Sequence, residues 1–404
     1  MEPISFEKTY QSSLGIKIRN RLRWIPEASY LLAFFLYITG QFIQGTMLAR
    51  LIPGTITYHI QMLAAFMVIA KSLLFDRHSV KDWSIIFLLG TVLWASGNNA
   101  ALLEIFYYYI FIVSAQDVDF SKIAKVFFIT ISSALLVTFL LAKFRIIHGL
   151  AYSRPNGAMR YALGTIYPSD LAARCFCLML AYVIIKNFKL CFPEYLGMVA
   201  ATLTTYVVTD TKVDFILMTL LILVSIFYKQ TVSILKSLTS RGIAMILGTA
   251  VTAIILSTYF YTPGNPVLSM IDRALSGRLH YSHMAFKNYN VTSLGQYIDQ
   301  HGFGGSTKAV LNYFYIDCSY IRVLMMFGCI TFIIMVIFLL YLSYNFMNKQ
   351  VYALEVALIF IALSALIDQH IWELSFNIIF LATFADLDNF RNNSHSLFFS
   401  RYEE

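Results

Sequence analysis

Two basic stretches carry the residues best suited to chemistry. Segment 146–166 contains Arg154 and Arg160; segment 262–318 contains Arg273, Arg278, Lys287 and Lys308. Arginine presents a planar fork of donors that grips a phosphate through two parallel bonds. Cations gathered in this way suit an anionic ligand, or the negative charge that develops on a departing phosphate. Asp317 closes the second segment, where its carboxylate is placed to take a proton from a hydroxyl. It also directly precedes an apolar run, so a helix N-cap is the competing reading. Arg174 and Arg322 lie inside apolar runs. Ionisable groups there face a bundle interior or a watery cavity, with snorkelling to the interface as the alternative. His280 and His283 are spaced i, i+3 beside Arg278 but have no third ligand, so no metal is expected. The Asp-x-Asp pairs Asp117/Asp119 and Asp386/Asp388 sit next to basic anchors and read as solvated loop. A phosphate loop, a His-Glu-x-x-His motif and a Gly-x-Ser-x-Gly elbow are all missing from the sequence. No cofactor is expected.

The elements that hold these residues must be membrane helices. Of 404 residues, 58% are hydrophobic and only 13% are charged, against roughly 25% charged in soluble domains. That excludes a soluble enzyme, a disordered chain and a fibrous repeat. The five cysteines (Cys175, Cys177, Cys191, Cys318 and Cys329) mostly lie in apolar runs and read as packing. A span needs about 20 apolar residues, and about twelve segments qualify by that measure. They are 27–46, 56–75, 84–98, 99–116, 126–145, 167–186, 193–209, 212–228, 242–261, 319–344, 351–367 and 371–386. The expected fold is an all-α polytopic membrane protein, a single integral membrane domain over 1–404. The first run reads as a retained anchor. Most of the 30 Lys and Arg fall on one side if both termini are cytoplasmic. The two basic segments then lie outside, against the positive-inside tendency, which is a further reason to expect an anionic ligand there. Within the second, Leu268, Ile271, Leu275 and Leu279 have helical spacing, so an amphipathic surface helix is expected over 267–284.

Several short segments give the chain a resemblance. Arg160-Tyr-Ala-Leu-Gly164-Thr-Ile-Tyr-Pro168-Ser-Asp170 resembles a stretch of Arg, Leu-Gly and His-Pro-Asn, with Tyr167 for the usual His and Ser169 for the Asn. Thr209-Asp-Thr-Lys212 stands for Thr-x-Ser-Arg, and Ser276-Gly-Arg278 for a Gly-Arg that opens the large loop's helix. Gly302-Phe-Gly304-Gly305, Asp317-Cys-Ser-Tyr320, Gly328, Glu373 and Asn377 follow in matching order. In layout and in these pieces the sequence resembles the bacterial O-antigen and capsule repeat-unit polymerases (Wzy-type), related to the O-antigen ligases. The resemblance implies a multi-pass protein of the bacterial cytoplasmic membrane that joins polyprenyl-diphosphate-linked oligosaccharides on the outer face. It implies Asp317, Arg278 and Arg160 as catalytic residues. Lys212, Arg154, Arg174, Arg273, His280, Tyr281, Tyr320 and Arg322 would contact substrate. Partners would be the lipid-linked donor and acceptor, membrane lipid, a chain-length regulator and a flippase, but no nucleic acid. Two other readings stay open. A lipid-linked oligosaccharide flippase would share the span count, although no half-to-half similarity is visible. A ligase-type transferase would carry an external His where Tyr315-Ile-Asp317 stands.

Overall fold

A computed structural model describes residues 24–390, apart from 155, 156, 308, 309 and 311. The termini expected in the cytoplasm and Lys308 therefore lie outside the described residues. Helices dominate what is described. α1 (Trp24–Gln44) and α2 (Gly54–Phe75) form a hairpin through a 3-10 turn at Met47–Arg50. α3 (Val80–Asn99), α4 (Glu104–Val113) and α5 (Phe120–Lys143) lead to a two-stranded antiparallel hairpin, β1 (Ala151–Ser153) and β2 (Met159–Tyr161). Then follow α6 (Pro168–Ile185), α7 (Phe192–Thr209), α8 (Lys212–Ile226) and α9 (Tyr228–Tyr259). Two short helices, α10 (Pro266–Ala274) and α11 (Arg278–Asn288), precede α12 (Ser319–Asn348) and α13 (Tyr352–Ser364). Five of these, α2, α5, α6, α9 and α12, are long and apolar enough to cross a membrane. Among the described residues the protein is an all-α membrane protein apart from that small hairpin.

The ends of the helices follow local chemistry. Ser79 and Asp82 make a reciprocal capping box at α3, and Pro168 and Pro266 open α6 and α10 where a missing N–H costs nothing. Asp119 caps α5 through the Ser121 amide and accepts from Asn389, while Asp386 accepts from the Asp388 amide. The two Asp-x-Asp pairs thus meet across an isolated bridge between Asp119 and Asp386 and serve as caps and turns. Lys71 is buried against Asp76 at 2.5 Å and donates to the Ser114 and Gln116 carbonyls, closing the C-terminal end of α4.

Three sequence expectations need correction. The segment 371–386 is not a helix: only 3-10 turns at His370–Trp372 and Ile379–Thr383 form there. It is nonetheless buried almost throughout, in the core with Tyr108, Phe338 and Phe360. Its backbone groups pair with side chains, as when Asn377 takes the Ile379 amide and gives to the Ile371 carbonyl. Irregular backbone is tolerated at such depth only when enclosed by protein. Secondly, the surface helix expected over 267–284 is two helices, because Ser276 and Gly277 both adopt positive φ and turn the chain between them. Thirdly, α4 has 10 residues, which span only about 15 Å. It begins inside the bundle, after a turn at Ala101.

α12 is interrupted just after Arg322. Val323–Phe327 winds as a π-turn, and Gly328 then leaves the helix at φ 88, ψ 166. The backbone groups freed there find partners outside the helix: the Gln296 amide donates to the Met326 carbonyl, Ser96 Oγ on α3 donates to the Phe327 carbonyl, and the Cys329 amide donates to the Thr292 carbonyl. Gly295 and Gly328 touch through bare backbone, and a Cβ on either would collide with the other strand of the contact. This staple ties the long 262–318 segment to the helix that bears Arg322.

Candidate functional site

The charged side chains meet at the end of the bundle that carries both basic segments. Arg278 stands at the N-terminus of α11. Its Nε donates to the Ile367 carbonyl and its Nη1 to the Leu275 carbonyl, which fixes the guanidinium plane. So held, it faces Asp317 at 3.9 Å and Asp368 at 3.8 Å. Asp214, buried in the first turn of α8, is within its electrostatic reach and has one carboxylate oxygen without a partner. Burial pushes the Asp317 carboxyl above the usual carboxylate range, with Asp368 and Asp170 adding to the rise and Arg278 opposing it. Burial works against the charge on Arg278, yet Asp317, Asp368 and Asp214 together hold it firmly ionised. Asp317 does not cap α12: Cys318 occupies the N-cap position and makes no side-chain cap bond.

A second charged group adjoins the first. His370 Nδ1 lies 2.7 Å from Glu373 and Nε2 lies 3.8 Å from Asp170, while the ring stacks on Phe376 at 3.7 Å. Burial opposes its charge, but these two carboxylates push the imidazolium up to about 10. Arg174 is 1% exposed, sandwiched between the rings of Phe376 (4.1 Å) and Phe42 (4.6 Å), with Nε and Nη1 unpaired. Arg322 is likewise buried; its Nη1 reaches Gln300 Oε1, which also accepts from the Ile316 amide beside Asp317. Neither arginine snorkels outward.

An aromatic row joins these groups to the β hairpin. Arg160 on β2 donates to the Thr209 carbonyl at 2.7 Å and lies over the Tyr167 ring. Tyr167 stacks on Phe303 (5.6 Å), Phe303 lies tilted against Tyr313 (5.5 Å), and Tyr313 meets Tyr281 edge-on (5.1 Å). Arg160 therefore shares the end but not a contact with Arg278.

The remaining residues expected from sequence divide clearly. Arg154 is committed to Asp210, through a 2.7 Å ion pair and a bond to its carbonyl. Lys212, Arg273 and His280 are exposed; Arg273 folds back on Ser269, and the His280 amide is held by Asp272. Tyr320 is buried and donates to the Ala362 carbonyl, a packing role. Of the residues expected from sequence, Arg278 and Asp317 come together and Arg322 lies within electrostatic reach of Asp317, whereas Arg174 lies by Glu373 and Asp170 and Tyr281 packs on Tyr313. Sequence reasoning placed Asp170 and Glu373 only within the segments that carry the resemblance and gave no site role to Asp214, Asp368 or His370. The rule that singled out Arg174 and Arg322 applies equally to Asp170, Asp214 and Glu373, which also interrupt apolar runs. Asp368 and His370 lie in a polar break between two apolar runs and were open to the same reading.

Chemically, the arrangement offers a fixed cation beside a carboxylate of raised proton affinity, a second fixed cation, and aromatic faces alongside. No family model, no curated protein and no solved structure matches the chain.

Proposed function

We propose that the protein is a membrane glycosyltransferase that joins lipid-diphosphate-linked oligosaccharide units at the outer face of a bacterial cytoplasmic membrane. The observation that carries this reading is the meeting of Arg278 and Asp317, two residues chosen from sequence on separate grounds, at 3.9 Å. Asp317 accepts the proton of the acceptor hydroxyl while that oxygen bonds to the anomeric carbon of the donor sugar. The bond from that carbon to the diphosphate breaks, and its electron pair leaves with the diphosphate. Arg278 meets the charge that develops there, and being already oriented by two carbonyls it needs no reorganisation. The lipid tail stays beside the apolar faces of the helices. His370 is too firmly protonated by Glu373 and Asp170 to serve as the base, so it acts as a fixed cation.

The ligase-type alternative retains one observation in its favour, since a histidine does stand near Asp317, supplied by the 365–372 segment. A genetic test separates the readings. Deleting the gene in producing cells should leave single lipid-linked repeat units and no long polymer. Wild-type protein should restore polymer, and Arg278→Ala should not. Normal polymer lengths in the deletion would reject the polymerase, while full-length polymer left attached to the lipid carrier would favour the ligase.

A further inference from the structure

We propose that the first third of α9 is a basic surface segment that holds anionic phospholipid of the cytoplasmic leaflet. α9 has 32 residues, about 48 Å of helix against a hydrocarbon core of roughly 30 Å. It is not one rod, because Thr239 adopts φ 59, ψ 163 and divides it in two. A residue other than glycine is held in such a conformation only where the structure on both sides is fixed in place. Residues 240–259 alone span about 30 Å and suffice to cross the core. Residues 228–238 are then left for the boundary. His283 on α11 contacts the Thr258 carbonyl at 3.0 Å, so 228–238 lies at the end of the bundle away from Arg278. With both basic segments external, that end faces the cytoplasmic leaflet.

The side chains sort into three faces. Tyr228 and Leu235 turn inward: Tyr228 stacks on Phe188 at 4.4 Å, and Leu235 is buried. Phe227, Ile234 and Leu238 form a second stripe at helical spacing, exposed by 53, 59 and 39%. Lys229, Ser233 and Lys236 share a third, exposed face, and Lys236 also lies over the Tyr352 ring at 5.2 Å. An exposed apolar stripe opposite a lysine face is the pattern of a helix that lies in the headgroup region. Arg241 follows just past the break and is exposed. No acidic residue occurs between Asp214 and Asp272. The elements packed here add Lys186, Lys189 and Lys349, with Glu194 and Glu355 as their acidic residues. Glu194 is paired by Lys186 at 2.7 Å, and Glu355 is 0% exposed and bonded by Ser343. The exposed charge around this segment is therefore positive. Acyl chains cover the apolar stripe while the cations meet the phosphate, and a lipid with net negative charge is favoured over a zwitterionic one.

This inference does not depend on the glycosyltransferase reading, and its test needs no activity. Purified full-length protein is incubated in detergent micelles with equal amounts of phosphatidylglycerol and phosphatidylcholine of the same chain length. Native mass spectrometry then counts the lipid retained. Phosphatidylglycerol should be retained in excess. Changing Lys229, Lys236 and Arg241 together to Gln, with normal insertion checked, should lower its retention roughly ten- to a hundred-fold, about five-fold for each cation before screening. Phosphatidylcholine should be unaffected. Lys229→Arg with Lys236→Arg keeps the charge and should bind as the wild type does. Lys287→Gln removes one exposed charge at the opposite end and should change nothing. Equal retention of the two lipids by the wild-type protein overturns the inference, as does an excess that survives the triple substitution. A loss from Lys287→Gln as large as that from Lys229→Gln would show bulk charge and no local surface, and overturns it too. Excess glycerol phosphate should not displace the lipid; displacement would mean a site for free phosphate in place of a lipid surface.

Discussion

At the scale of single residues, the account places different demands on Arg278 and Asp317. Arg278→Ala should lower elongation roughly 10²–10³-fold, the usual cost of removing a transition-state donor. Arg278→Lys should recover only part of this, because an ammonium cannot bond the Ile367 and Leu275 carbonyls and a phosphate with one plane. Asp317→Asn should cost about 10²–10⁴-fold. Since Cys318 occupies the N-cap, the good capping ability of Asn offers no rescue, and near-normal polymer from this variant would remove the base. The acidic limb of the rate–pH profile should lie above about 3.9, the ordinary Asp value. The reason is that burial raises the Asp317 carboxyl, so its basic form is lost sooner as pH falls. A limb at or below that value would contradict the assignment. Residue types and order sufficed to pick out Arg278 and Asp317. They did not disclose that Arg154, picked out as a substrate contact, has its fork spent on Asp210, because partner choice depends on distances that only the fold sets.

At the scale of elements, helices were legible wherever apolar runs were long. Segments 56–75 and 167–186 match α2 and α6 within two residues at either end. The last run was misread because apolarity reports burial, and 371–386 is buried without being helical. Likewise Ser276-Gly277 breaks a helical period that the apolar spacing alone would continue. The π-turn and the Gly295–Gly328 contact had no sequence signal beyond two glycines. Gly295→Ala, which adds a Cβ against the Met326 carbonyl at φ 86, should destabilise the protein by about 1–3 kcal/mol. Gly197→Ala, with open space around it, should not, and thermal melts in nanodiscs compare the two. His370 adds a pH dependence. Its folded-state value near 10 exceeds the unfolded value of about 6.5. Its stabilisation is therefore complete below about 6.5 and is lost as pH rises towards 10. The difference in melting temperature between wild type and His370→Gln should shrink across that window; a constant difference would mean the ring contributes by packing on Phe376 alone.

For the whole molecule, the two basic segments share one end, joined by the Tyr152–Phe303 contact. If that end is external, Ser153→Cys should react with an impermeant thiol reagent in intact cells, and Lys229→Cys should not, in a background free of native cysteines. The reverse pattern would invert the orientation and remove access to the lipid-linked substrate. The most direct measurement is elongation by the pure protein itself. Nanodisc-embedded protein, given only isolated lipid-diphosphate-linked repeat units, should produce a ladder of products one repeat apart on gels, and the Asp317→Asn protein should leave the units unchanged. Units that stay single with the wild-type protein, or a ladder that is equal with both, would contradict the account.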